Sequence, residues 1–389
     1  MKQQTIEILS KAGIDDITIK KVINSGYHYK ANVKLYGLGD GMPCISDTFY
    51  GSKMMIGYIN FETFVSYLKG NDNTPKFSPP IYKVKSLKDA LQQINEAEGT
   101  SRLFKEGLLS FRGQAREYHT KREIPNPFMA DTNNKERLVI PSFYRKFVND
   151  FSLRFNERFQ KSIFQSIYGD EFVYYGIENW HNLGEENFKR YGIHTMSDLE
   201  SFPDKRSQEY GKRWSKIKVS GDLTGQLPLI EQHYGMPTYG LDVTFELSTA
   251  LFFASHKFKT DKEGYSFYEP IEKGKHQGVL YGFRFRDPSL VKTRDMVNNV
   301  PLFDHLKPER PIRQSCALPI FNDYNFNSAL TDCDFIMYLD KDFDIEGVSN
   351  ENYLIPPPEE DPFYKALVDI GKDKLDRFPF NTFARYKHD

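Results

Sequence analysis

The sequence predicts an α+β protein of two units, a small α+β module over residues 1–80 and a larger domain over 81–389. Three observations carry that reading. Helix-like and strand-like stretches are mixed along the chain without the regular strand–helix–strand rhythm of a parallel sheet. The polar, proline-bearing stretch NDNTPKFSPP at 71–80 reads as a linker. The 389 residues suffice for two or three domains and for a core that needs no covalent staples.

In the first unit, IEILSKAG and FETFVSYLKG read as short helices ended by glycine, and the glycine-rich residues 36–59 as turns and short strands. The second unit opens on the extended run IYKV at 81–84. Ser86 and Asp89 form a capping box, and Leu87, Ala90, Leu91 and Ile94 then recur at the spacing of an amphipathic helix. A strand follows over 108–111. Residues 121–140, rich in Pro and Asn, read as a long loop, and Pro141 opens a helix. The charged and aromatic residues 147–220 read as a helical insertion. QLPLIEQ at 226–232 is helical and HYGMPTYG turn-rich. Leu247, Ala250, Leu251 and Ala254 predict a second amphipathic helix starting after Thr244. Val279, Tyr281, Phe283 and Phe285 alternate as in a strand, residues 335–340 read as another, and the stretch 356–371 adds a short helix.

The charge balance excludes a general electrostatic pull toward nucleic acid or anionic membrane: 52 basic residues face 53 acidic ones, for a net charge of −1. A mild basic bias over 112–146, eight Lys/Arg against four Asp/Glu, leaves nucleic acid open as a partner. Cys44, Cys316 and Cys333 are far apart and form no Cys-x-x-Cys pair. This speaks against a disulfide framework or zinc knuckle and suits a reducing cytoplasm. The polar N-terminus lacks the apolar run of a signal peptide, and no run of 18 apolar residues exists. A cytoplasmic protein without a membrane segment is therefore expected. The phosphate-binding Gly-Lys loop, the dinucleotide glycine fingerprint, the His-Glu-x-x-His helix and the Gly-x-Ser-x-Gly elbow are all missing, and no metal is expected.

What remains is a constellation of three stretches. The first is Phe111-Arg112-Gly113-Gln114. The second runs from Gln232-His233-Tyr234-Gly235-Met236-Pro237-Thr238 through Leu241-Asp242-Val243-Thr244 to Ala250–Ala254. The third is Arg310-Pro311-Ile312-Arg313-Gln314. In order and spacing they resemble the FRG domain family, named for its aromatic-Arg-Gly start. Pro141-Ser142-Phe143-Tyr144-Arg145 resembles that family's Pro-Ser-x-x-Arg element. The resemblance covers roughly 81–370 and leaves the first unit outside. Tyr239 and Val243 stand where the family usually has Arg and Trp.

The arrangement also resembles, more distantly, the toxin-type ADP-ribosyltransferases. A strand ends in aromatic-Arg-Gly, a strand-end Thr precedes a helix with an Ala-x-x-Phe-Ala-like ending, and Gln314 is the nearest match to the late Glu that binds the nicotinamide ribose in those enzymes. This implies a mixed, split sheet with a ligand cleft carrying Arg112, Thr244 and Gln314. It further implies NAD as substrate, an ADP-ribosyl transferase or NAD glycohydrolase activity, and a toxin or anti-phage defence effector. The first 80 residues would then recognise a target or trigger, and the macromolecular acceptor is unknown. Arg112, Gly113, Gln114, Thr238 and Thr244 would hold the dinucleotide, and Gln314 a ribose hydroxyl. An amide does not titrate, so Asp242 and His233 are the nearest candidates to take a proton. Each residue also has a plainer reading. Arg112 pairs with Asp242 or Glu309 in the core; Thr244 caps a helix; Gln314 bonds to backbone; His233 is a structural histidine; Cys316 is a small core residue. The non-catalytic alternative is a nucleotide- or partner-binding module.

Overall fold

Asp15 starts a helix that the glycine-and-turn pattern of the first unit does not announce. Its carboxylate accepts the backbone N–H of Thr18 at 2.9 Å and the Thr18 hydroxyl at 2.7 Å, as an N-cap does. The structure, a computed structural model, describes residues 2–34, 41–51, 55–71, 73–100, 109–142, 230, 232–235, 240–285, 290–292, 307–319, 327–371 and 384–387. The insertion expected over 147–220 and Thr238 lie outside the described residues. So do most of the helices expected from Pro141 and over 226–232.

The first unit runs α1 (Lys2–Lys11), α2 (Asp16–Asn24), β1 (Tyr27–Val33), β2 (Met42–Asp47), β3 (Tyr58–Asn60) and α3 (Phe61–Leu68). Its strands form an antiparallel sheet in the order β1-β2-β3. Leu9, Ile19, Val22, Tyr27, Ile45, Ile59 and Phe64 close its core, and Phe128 of the second unit completes it. The linker 71–80 carries no helix or strand among its described residues, but it is tied down. The Phe77 N–H donates to the Phe128 carbonyl at 2.6 Å, and the Lys76 ammonium to that of Pro127 at 2.7 Å.

Arg122, on the loop read at 121–140, joins the two units. Its side chain is 1 % exposed and pairs with Asp47 of the first unit at 2.9 Å and with Glu136 at 2.6 Å. The guanidinium also lies 4.4 Å from the Phe49 ring centroid. Burial works against its charge, but Asp47 and Glu136 more than offset this and hold its pKa well above the ordinary value.

The second unit is built on a seven-stranded sheet. Its strands are β4 (Ile81–Val84), β5 (Leu109–Gln114), β6 (Val243–Thr244), β9 (Val279–Arg284), β10 (Leu290–Lys292), β11 (Cys316–Pro319) and β12 (Cys333–Leu339). The order is β10-β11-β6-β5-β9-β12-β4, antiparallel except for β12 with β4, so the sheet is mixed. A smaller sheet joins β7 (His256–Thr260), β8 (Tyr265–Pro270) and β13 (Arg385–Tyr386). Among the described residues, no helix is long and apolar enough to cross a membrane.

Alternation along the strands sorts their side chains onto two faces. Phe111, Leu280, Phe335 and Met337 pack with Ala90 and Ile94 of α4 (Leu87–Thr100) and with Ala250 and Ala254 of α5 (Leu247–Ser255). Val243, Val279, Tyr281, Phe283 and Ile336 pack on the other side with Phe49 and Tyr50 of the first unit. One half of the capping box at α4 is formed: the Ser86 hydroxyl accepts the Asp89 N–H, while the Asp89 carboxylate accepts the N–H of Lys85 rather than that of Ser86.

The helix α5 departs from the amphipathic expectation, because all but two of its nine residues are buried. Ala250 and Ala254 face the large sheet, while Phe252 packs outward against Leu354, Ile355 and Tyr268. The approach to the sheet is close enough to need glycine beneath it. A Cβ on Gly113 would lie 1.7 Å from the Ala250 carbonyl oxygen, and one on Gly278 2.1 Å from that of Ala254. The sequence suggests that Gly113 lets a ligand come near; the structure puts α5 there.

Candidate functional site

The site forms where the pairing of β5 with β6 is confined to Phe111 and Thr244. One residue beyond Phe111, Arg112 takes over from the ladder: its Nη1 donates to the backbone carbonyl of Asp242, just before β6 begins. A half-buried arginine thereby fixes the acidic residue that leads into the strand. Asp242 is an intended pairing partner in the plain reading of Arg112, but the bond goes to its backbone and leaves its carboxylate for another contact.

Thr244 locks the next joint. Its hydroxyl donates to the Gln314 carbonyl at 2.6 Å and accepts the Glu246 N–H at 2.9 Å. The first bond ties β6 to the end of α6 (Glu309–Arg313), and the second holds the turn into α5. Ser315, at φ 47°, then reverses the chain so that Cys316 begins β11 opposite Thr244.

Arg310 anchors α6 from below. It is fully buried, with its guanidinium 4.8, 3.8 and 4.7 Å from the ring centroids of Tyr234, Tyr364 and Tyr386. The Tyr234 hydroxyl donates to the buried carboxylate of Asp361, which stands 4.0 Å from the Arg310 Nε. This cage of three rings and one acid holds the segment bearing His233 against the segment bearing Gln314.

Within that frame the polar side chains meet. The Gln314 Nε2 donates to the Leu354 carbonyl at 3.0 Å, and its Oε1 lies 3.1 Å from His233 Nδ1. The His233 side chain is 2 % exposed, and its Nε2 lies 3.5 Å from Oδ1 of Asp242, a residue 36 % exposed at its side chain. The Cys316 sulfur lies 3.8 Å from His233 Nδ1 and 3.7 Å from the Gln314 carbonyl oxygen. Burial lowers the pKa of His233, against the opposing pull of Asp242 and Gln314. Burial, reinforced by Asp242, pushes the Cys316 thiol well above its usual range.

The structure thus brings together Arg112, His233, Asp242, Thr244 and Gln314, three sequence-remote segments in one cluster. Gly113 lies under α5. Gln114 sits at the end of β5 opposite Val279, with its Oε1 buried and without a hydrogen bond among the described residues. The hydrogen bonds of Thr244 and both ends of the Gln314 amide are engaged within the protein. Gln314 acts on His233 rather than presenting itself outward.

Cys316 is the member that sequence reasoning passes over. Its signal is slight: it stands two residues after Gln314, but only the pairing of β11 with β6 carries it to His233 and Asp242. Chemically the cluster offers a histidine–carboxylate pair, a thiol and a neighbouring arginine. Among the described residues, His233, Asp242 and Cys316 each offer one possible metal-ligand atom, all within 4.8 Å of one another. No protein-family model matches the chain, and no curated protein or solved structure matches it either.

Proposed function

We propose that this protein, as an FRG-like effector of toxin or anti-phage type, breaks the nicotinamide–ribose bond of NAD. The ADP-ribose passes to an acceptor or to water. One observation supports the reading above all. The three segments that carry the resemblance converge on a chain of contacts from Arg112 through Asp242 and His233 to Gln314.

The reaction needs little covalent work from the protein. The bond between ribose C1′ and the pyridinium nitrogen breaks, and its electron pair neutralises the departing nicotinamide. C1′ passes through an oxocarbenium-like state, as in glycoside hydrolysis. The attacking oxygen forms the new bond and loses a proton. Asp242 is the partly exposed carboxylate of the cluster and suits both needs: negative charge beside the developing cation and a place for that proton. Gln314 orients His233, whose Nε2 lies 3.5 Å from Asp242 Oδ1. Arg112 supplies a fixed cationic fork for phosphate oxygens. Gln314, given to a ribose hydroxyl by the resemblance, is thereby reassigned as a positioning residue.

Incubation of the full chain with NAD, with and without cell lysate, tests this by release of nicotinamide. Release that disappears in Asp242→Asn and falls in Arg112→Ala supports it; no release in either condition removes it. The second reading, a nucleotide-binding module without chemistry, draws on the engaged side chains of Thr244 and Gln314. Saturable NAD binding without nicotinamide release would favour that reading.

A further inference from the structure

Hydrogen-bond logic fixes the tautomer of His233. The Gln314 Nε2 must point at the Leu354 carbonyl, because the flipped amide would set two acceptors against each other there. Its Oε1 therefore faces His233 Nδ1, which must carry the hydrogen to make the 3.1 Å bond. The neutral ring then turns the lone pair of Nε2 toward Asp242 Oδ1, also an acceptor, at 3.5 Å. Both atoms are buried, and among the described residues neither has a hydrogen-bond partner. Two acceptors held face to face in a buried place call for something positive between them.

The sulfur of Cys316, from a separate strand, lies 3.8 Å from His233 Nδ1, and the three side chains each offer a ligand atom within 4.8 Å of the others. Nitrogen, oxygen and sulfur together are the donor set of a borderline-soft divalent ion. Ligand atoms around tetrahedral zinc, bound at about 2.0–2.3 Å, lie about 3.3–3.6 Å apart. The His233–Asp242 separation of 3.5 Å already falls in that range. Histidine ligands characteristically donate their second N–H to a carbonyl or carboxylate, the part that Gln314 Oε1 plays here.

We propose that His233 Nε2, Asp242 and Cys316 Sγ form a three-ligand site for a divalent transition-metal ion of the zinc class, with a fourth position open to a water or a substrate oxygen. On binding, the Cys316 thiol loses its proton to solvent and the thiolate bonds to the metal. Spacing conceals the site in the sequence: residues 233, 242 and 316 form no recognised ligand motif, and only the β11–β6 pairing assembles them. The metal site shares His233 and Asp242 with the NAD reading, but its readout is the metal itself.

The test uses the full chain, stripped with a chelator and titrated with Co²⁺. The expected result is a sulfur-to-cobalt charge-transfer band that saturates at about one ion per chain and is displaced by Zn²⁺. Cys316→Ser abolishes the band. Asp242→Asn, a near-isosteric change at a partly exposed position, and Gln314→Ala, which removes the partner of His233, each weaken binding by about tenfold or more. The proposal is overturned if no such band develops in the folded protein, or if Asp242→Asn and Cys316→Ser bind Co²⁺ as the parent does. Nicotinamide release measured on the same stripped and reloaded samples keeps the two questions separate.

Discussion

His233 Nε2 and Asp242 Oδ1 face each other at 3.5 Å, both buried and, among the described residues, neither hydrogen-bonded. That contact carries an unusual expectation for Asp242→Asn. In metal-free protein the new side-chain N–H can donate to Nε2, replacing two opposed acceptors with a hydrogen bond of about 0.5–1.5 kcal/mol. The variant gains stability in denaturant unfolding while its rate of NAD cleavage drops by about 10²–10⁴. A variant that loses stability and activity together would show Asp242 to be an ordinary structural partner.

Gly113 tests the packing beneath the site. Alanine there brings a methyl group to within 1.7 Å of the Ala250 carbonyl oxygen, a backbone atom that cannot swing aside. Gly113→Ala is expected to destabilise by roughly 1–3 kcal/mol or more through the forced separation of α5 from β5. An unchanged unfolding midpoint would contradict the close approach.

Arg122 tests the joint between the two units. Arg122→Leu leaves the carboxylates of Asp47 and Glu136 buried without their cation. The expected loss is about 3–5 kcal/mol. By contrast, Glu123→Gln disturbs only the exposed pair with Lys21, with an expected change of about 0–1 kcal/mol. Equal effects from the two changes would argue against a buried junction.

Acid should weaken the fold through His256 and His276. Burial lowers the pKa of both below 6.5; the His256 Nδ1–H donates to the Phe252 carbonyl, and His276 packs against Phe343. Between the folded pKa and 6.5 the unfolded chain binds more protons, so stability falls as pH drops through 6.5 and levels off below the folded values. Unfolding midpoints recorded from pH 7.5 down to 5 check this. A flatter profile in His276→Gln and His256→Gln supports the assignment; an identical profile counts against it.

What the sequence discloses follows the range of the forces involved. The Ser86 cap of the Asp89 N–H and the strand from Val279 are local, and both are found, the strand running to Arg284 with both faces buried. The alanines of α5 mark a buried helix. Its second buried face does not show, because the residues that cover it, Tyr268, Leu354 and Ile355, come from other segments of the chain. The cluster itself is legible as far as its residues go: Arg112, His233, Asp242, Thr244 and Gln314 do meet. Their roles are not, since each depends on a distant partner. Gln314 is turned inward by the Leu354 carbonyl, forty residues on, and Cys316 reaches His233 only through β6.

The central claim is that this cluster cleaves NAD, and release of nicotinamide by the purified full chain measures it most directly. The account predicts time-dependent release, alone or once lysate supplies an acceptor, that Asp242→Asn abolishes while its fold remains intact. A folded parent protein that releases no nicotinamide in either condition, or an Asp242→Asn variant that releases it at the parent rate, would contradict the account.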